Sequence, residues 1–396
     1  MKRKWDDAPW VLTAAFVLLV LAVNFHLFAQ PIVEFSDYAA NSLLVRQAEH
    51  FRLLTGHYSR WGFHHPGPAF LYLFALGEFL FYDVLHVVPA PYNGQLLITI
   101  TFNGILLGTT LYVFRRHTQL PVPLALLATG VVTVLANVPA RPRPPMLVSS
   151  WMPDVLIFPF LLFLVSAASV LAGETRHLLF LAVSGMLLIH AHVAQFLFVG
   201  VIGGATAVFI LVRARRQGSL RRFLSQRWRD FAVAAAIVAV FAVPPLLELA
   251  LDRPNNLDAV LAYLHQFGGV RNSLGMAIGY FACFLLFIGA PNVALAKGPG
   301  GILAMGLSPF YVVAYWMVLV LLFMLALARR MTSRQRPGPF LSYVMWIGIG
   351  SALLFLCWST RITGEFYAFN GSFVYALLAW FFLLAAPSWP ACPNLA

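Results

Sequence analysis

Apolar runs of membrane length recur along the chain, near residues 9–30, 95–114, 121–139, 153–172, 177–191, 192–213, 230–250, 307–328, 339–359 and 366–387. A helix needs about 20 mainly apolar residues to cross the hydrocarbon of a bilayer. Inside lipid, backbone N–H and C=O groups must be satisfied within the segment or in a closed barrel. These runs have helical length, and the alternating segments of about 10 residues that build barrels do not occur. The 396 residues are 61% hydrophobic and 10% charged, against about 25% charged in soluble domains. The chain 1–396 therefore reads as one all-α integral membrane domain.

Charge then constrains how the runs thread. The net charge of +12 would suit a nucleic acid if the basic residues formed a continuous patch. They fall instead in short clusters between apolar runs, the pattern of cytoplasmic loops, so no nucleic-acid partner is expected. Met1-Lys2-Arg3-Lys4 ahead of the first run has the look of a signal peptide. The run is too long for the apolar part of one and no small-x-small site follows before Pro31, so a retained signal anchor is predicted. Two further runs, 66–88 and 276–296, decide the topology. If both crossed, Arg115-Arg116 and the arginines from Arg213 to Arg229 would lie outside, against the positive-inside bias. If both only lie along or dip into the outer face, those arginines share the cytoplasmic side with the N-terminus and the Arg329–Arg336 cluster, and most acids face the other way. The expectation is about ten spanning helices, with outer non-spanning regions at 31–94, 140–152 and 251–306. Cys283, Cys357 and Cys392 are far apart and lack metal spacing, so neither a disulfide nor a zinc framework is implied.

The first outer region carries the richest chemistry. From Asp37 to Leu54, Ala40, Leu43, Leu44, Ala48, Phe51 and Leu54 form one stripe opposite Arg46, Gln47, Glu49, His50 and Arg52, which predicts a helix lying in the membrane interface. Ser36 is the expected N-cap and Gly56 the expected stop. Asp37 falls in the first turn, where it either complements the helix dipole or serves a site. Glu34, three residues earlier, is either a solvated loop acid or a partner in a carboxylate or metal pair. The run Tyr58-Ser59-Arg60-Trp61-Gly62-Phe63-His64-His65-Pro66-Gly67-Pro68 follows. Its glycines permit close backbone approach and its prolines stiffen the chain. Arg60 offers a forked donor for phosphate, His64 and His65 further donors, and Tyr58 and Trp61 faces that can shape a sugar site.

Phe35-Ser36-Asp37 with Tyr58-Ser59-Arg60-x-Gly62-x-x-His65-Pro66-Gly67-Pro68 resembles a group of bacterial membrane proteins classed with the GT-C superfamily of lipid-linked-sugar glycosyltransferases. The likeness continues at Trp151-Met152-Pro153, Ile189-His190-Ala191-His192, Pro254-Asn255-Asn256-Leu257 and Arg361-Ile362-Thr363-Gly364. It implies a GT-C-like bundle with membrane-parallel helices in the first extracytoplasmic loop, and gives Asp37 the role of the catalytic or acceptor-activating carboxylate. It also makes Arg361 a lipid-phosphate contact and Asp154 a candidate second acid. Departures occur at Met152, where the group usually has a polar residue, and at His190-Ala191-His192, where it often has Gln-Thr-His.

Other residues weigh less. Asp154 follows Pro153 at the head of a span, where it would also complement the dipole. Arg141 and Arg143, among prolines, could meet a pyrophosphate or a headgroup. His190 and His192 are two apart and so lie on different helix faces, which argues for buried hydrogen-bonded histidines over a shared metal. Arg213 to Arg229 with Trp228 reads as a linker against anionic lipid. The expected function is transfer of a sugar from a polyprenyl-phosphate donor to a glycan, lipid or protein acceptor at the extracytoplasmic face of a bacterial inner membrane. Asp37 would act as base, Arg60, His64, His65 and Arg361 would hold the phosphate, Tyr58, Trp61 and the 251–275 loop would shape the sugar and acceptor site, and a divalent ion (Mg or Mn) could sit among Glu34, Asp37 and Asp154. A transporter or flippase of lipid-linked sugars would need charged, broken helices at the midplane, which the spans almost wholly lack. A non-catalytic membrane assembly protein is the other alternative.

Overall fold

The computed structural model describes residues 8–118, 125–126, 129–130, 146–218, 220–285, 294–295, 339–364 and 366–378. Helices and the loops between them make up nearly all of these residues; paired strand among them is confined to one two-residue ladder, Ala294–Leu295 against Phe366–Tyr367, and an isolated bridge between Tyr58 and His64. The helices are α1 (Ala8–Val23), α2 (Asp37–Glu49), α3 (Ala69–Gly77), α4 (Pro91–His117), α5 (Ile157–Leu171), α6 (Leu178–Ala191), α7 (Gln195–Arg216), α8 (Leu220–Leu251), α9 (Asn256–Phe267), α10 (Leu274–Leu285) and α11 (Pro339–Ser359). Five are long and apolar enough to cross a membrane: α4, α5 with its leading turn from Met152, α7, α8 and α11. Shorter apolar helices include α1, α6 and α10. The runs expected at 121–139 and 307–328 and the end of 366–387 lie almost wholly outside the described residues, as do Arg141, Arg143 and Glu365.

α5 is the hub. Nearly all of its residues are buried, and it packs against α4, α6, α7 and α11. Phe160, Phe163, Phe198, Phe355 and Phe373 are among the fully buried side chains that fill the space around it. α8 is the opposite case. Its 32 residues bury only Glu248, and much of the apolar stretch that follows Asp230 is exposed, as on a lipid-facing helix.

Two expected elements take a different form. The 9–30 run breaks after Val23, where Asn24 Nδ2 donates to Val20 O at 2.7 Å, and α1 has 16 residues. The 66–88 run is α3 continued by a π-helical stretch, Glu78–Val84. α3 meets α4 backbone to backbone, because a Cβ on Gly77 would lie 2.6 Å from Gly94 O and one on Gly94 would lie 2.6 Å from Gly77 O. Small residues at such a crossing let two helices approach closely.

The stripe predicted for α2 is also rotated. Its buried residues are Tyr38, Asn41, Ser42, Val45 and Ala48, while Leu43 and Phe51 point outward, 64% and 84% exposed. The reason is polar satisfaction: Ser42 accepts from Gln95 Nε2 at 3.0 Å within the bundle, and burying that pair fixes the rotation. Gly56 does not stop the helix. The chain turns at Phe51, in the left-handed region at φ 55, and Gly56 serves a later contact.

Candidate active site

The segment from Gly56 to His65 folds as a tight hairpin. Gly56 N donates to His65 O at 2.8 Å, His65 N to His57 O at 2.9 Å and Ser59 N to Phe63 O at 2.8 Å. Gly62 closes the tip at φ +82, a conformation that favours glycine. The hairpin base is wedged against α6. Gly67 N donates to His190 O at 3.2 Å, and a Cβ on Gly67 would stand 2.2 Å from His190 Nδ1. His190 is in turn held by a proline. Pro245 inside α8 has no N–H, which leaves the carbonyl four residues before it without a helical donor. That carbonyl, Phe241 O, accepts from His190 Nε2 at 2.9 Å.

The outer side of the hairpin docks on α9. Asn255 caps this helix in a capping box with Asp258, and Asn256 bonds the hairpin. Its Oδ1 accepts from His64 N at 2.7 Å and its Nδ2 donates to His64 O at 2.8 Å. Trp61 packs on Tyr263 and Phe267, with ring centroids at 5.6 and 4.9 Å. Asn272 bonds Thr360 O and Ile362 O, both at 2.8 Å, and so fixes the turn that carries Arg361.

These contacts enclose a cavity of about 950 Å³ whose lining includes Asp37, Tyr58, Arg60, Trp61, His65 and Arg361. Six side chains singled out from the sequence thus line one hollow, although they come from three separated stretches of chain. Asp37 stands at the start of α2, directly after Ser36, which sits at φ 53 and makes no side-chain cap bond. The expected cap is therefore absent, and a strained backbone position precedes the carboxylate. Both Asp37 oxygens accept hydrogen bonds at 3.1 Å, Oδ1 from the Tyr58 hydroxyl and Oδ2 from the Trp151 indole. Each oxygen keeps a lone pair for another donor. Burial and the Asp37 charge push the Tyr58 phenol above its ordinary pKa, so Tyr58 remains a donor.

Arg60 lies over Tyr367 at 4.4 Å and within 5.7 Å of Trp61 and Phe369, a cation–π cage. The ion pair among the described residues is Arg176 with Glu174, remote in sequence from the cavity residues. Neither Arg60 nor Arg361 has a carboxylate partner there.

Three expected site residues lie off the cavity lining. His64 is engaged by Asn256 through its backbone, and its Nδ1 donates to Gly56 O at 3.1 Å, so it builds the hairpin. Glu34 is half-buried and is not on the cavity lining; burial, and after it the charges of Glu49 and Glu34, raises the pKa of Glu78. Asp154 is buried at the head of the turn before α5. Of the three acids expected to share a divalent ion, only Asp37 lines the cavity, and no three His, Cys, Asp or Glu side chains among the described residues converge as a ligand set.

Other lining residues were not foreseen as site members: His57, Trp151, His192 and Glu248. Trp151 and His192 do fall within motifs quoted above, and the motifs were their only signal, whereas Asn256 belongs to the 251–275 loop expected to shape the site. His57, His65 and His192 form a stack, with centroids 4.0 Å apart between the first two and 4.5 Å between the last two. Burial, then the charge of neighbouring histidines, lowers the pKa of His57 and His65 well below the usual value. Leu246 and Leu249 of α8 and Leu257, Leu261 and Leu264 of α9 give the cavity an apolar side. No family model matches this chain, and neither a curated protein nor a solved structure shows significant similarity to it.

Proposed function

We propose that this chain is a membrane glycosyltransferase of GT-C-like architecture, moving a sugar from a polyprenyl-phosphate donor to an acceptor hydroxyl of a glycan, lipid or protein. The reaction would take place at the extracytoplasmic face of a bacterial inner membrane. One observation carries the reading: a carboxylate with spare lone pairs shares a leucine-walled cavity with two arginines that have no carboxylate partner among the described residues.

The chemistry follows from those groups. The acceptor oxygen attacks the anomeric carbon, its proton passes to Asp37, and the bond from that carbon to the phosphate oxygen breaks. The departing phosphate gains charge in a site poor in water, where fixed cations stabilise it most. Arg60 and Arg361 are suited to that role because guanidinium forks match phosphate oxygens. The leucines of α8 and α9 offer an apolar path for the prenyl chain. Tyr58 and Trp151 aim the Asp37 carboxylate.

The test uses purified full-length protein with a labelled polyprenyl-phosphate sugar and a membrane extract as acceptor source. Asp37→Asn removes the base and should abolish transfer while the donor still binds. Wild-type transfer by that variant would overturn the reading.

A further inference from the structure

Hydrogen bonds from the backbone fix the protonation of two cavity histidines. Val193 N donates to His65 Nδ1 at 3.1 Å, and Ala194 N donates to His192 Nδ1 at 3.1 Å. An N–H can only donate, so each Nδ1 must be the bare, accepting nitrogen. The neutral ring then carries its proton on Nε2. Protonating either ring would set an Nδ1–H against a backbone N–H. Coordinating a metal through Nε2 would likewise move the proton onto Nδ1 and break the same bond. His64, on the hairpin's other face, has the reverse tautomer, since its Nδ1 donates to the Gly56 carbonyl.

We infer that His65 and His192 form a neutral donor wall that binds the hydroxyl oxygens of a sugar headgroup, beside and distinct from the arginines that meet the anion. Both rings line the cavity. Neither Nε2–H has a protein partner among the described residues, and His57 stacked on His65 keeps that ring in place. An uncharged donor of fixed orientation suits a sugar oxygen, whereas a phosphate draws the stronger charge-assisted bonds of arginine. Glu248, also on the cavity lining, takes the Asn256 N–H at 2.5 Å and adds an acceptor for a sugar hydroxyl. The assignment to the donor's sugar rests on the transferase reading; the tautomers do not.

Two measurements on the full chain in nanodiscs test this. In ¹⁵N-histidine spectra, assigned with His65→Gln and His192→Gln, both residues should show a bare Nδ1 and a protonated Nε2 from about pH 8 to about pH 5. A protonated Nδ1 on either residue in that range overturns the proposal. Binding is then measured with dodecyl glucoside and dodecyl phosphate. His192→Phe keeps the ring shape and loses the donor, so glucoside affinity should fall about 3- to 10-fold, the worth of one neutral hydrogen bond, with phosphate affinity unchanged. His192→Gln, which retains a donor at the ε position, should restore glucoside binding. No glucoside binding by the folded wild type, or binding by His65→Phe and His192→Phe as tight as that of wild type, overturns it. Glucoside binding without any transfer would remove the transferase reading and leave this site standing.

Discussion

Asn256 pairs with the backbone of His64 as one strand pairs with another, donating from Nδ2 to the carbonyl at 2.8 Å and accepting at Oδ1 from the N–H at 2.7 Å across 192 residues of sequence. The pair fastens the hairpin that carries Tyr58, Arg60 and His65 to α9. Asn256→Ala should lower stability by about 1–3 kcal/mol, since it leaves a half-buried N–H and carbonyl without partners. Asn256→Asp keeps the acceptor and should fall between. Thermal unfolding of the three proteins in one detergent gives the ranking, and an Ala variant as stable as wild type would show that the docking contributes nothing.

Among the described glycines, Gly67 is where an added Cβ would come nearest to another atom. A methyl group there would meet the His190 ring at 2.2–2.5 Å, and His190 is tethered to Phe241 O. Gly67→Ala should destabilise the protein by about 3 kcal/mol or more through overpacking. Gly62→Ala meets open space but a strained φ and should cost about 1 kcal/mol. Chemical denaturation of the two variants should preserve that order.

Trp151 and Tyr58 act on Asp37 without touching the reacting atoms by this account. Trp151→Phe and Tyr58→Phe each remove one donor to the carboxylate while keeping an aromatic ring. Each should lower kcat about tenfold, which corresponds to about 1.4 kcal/mol of lost orientation, and should leave KM for the donor lipid nearly unchanged. A purely structural role would shift unfolding temperature and kcat together. Steady-state kinetics beside thermal melts separates the two.

Buried neutral histidines make stability depend on pH in a definite direction. His57 and His65 have lowered pKa values in the folded state, so below about pH 6.5 the unfolded chain binds protons that the folded chain does not. Stability should be flat above that pH and fall as pH drops, by up to about 1.4 kcal/mol per pH unit for each histidine, until the folded pKa is reached. His65→Gln should flatten the slope. A midpoint unchanged between about pH 7 and about pH 5 would contradict the burial of these rings.

Much of this site could be read before any coordinates. Asp37, Tyr58, Arg60, Trp61, His65 and Arg361 stood out as polar or aromatic residues in loops beside apolar spans, and all six line one cavity. His64 stood out for the same reason and serves the hairpin instead. Composition cannot separate the two histidines, because one residue of register decides which ring faces inward. The rotation of α2 was hidden for a related reason. Its buried face includes Asn41 and Ser42, and a hydrophobic stripe is blind to polar groups that find partners elsewhere. His57 and Glu248 were not assigned to the site, since a lone titratable residue beside a loop motif or near the end of a span has many roles.

The sequence by itself determined that the chain is helical and suited to a membrane, because hydrocarbon forbids unpaired backbone and the length of each apolar run is written in one dimension. Only the tertiary structure decided which polar side chains meet. Trp151 and Asp37 lie 114 residues apart, and Asn256 and His64 lie 192 apart. Such encounters depend on how helices pack around α5, which turns on the shapes of small residues such as Gly77 and Gly94 at their crossings, and no periodicity along the chain records that.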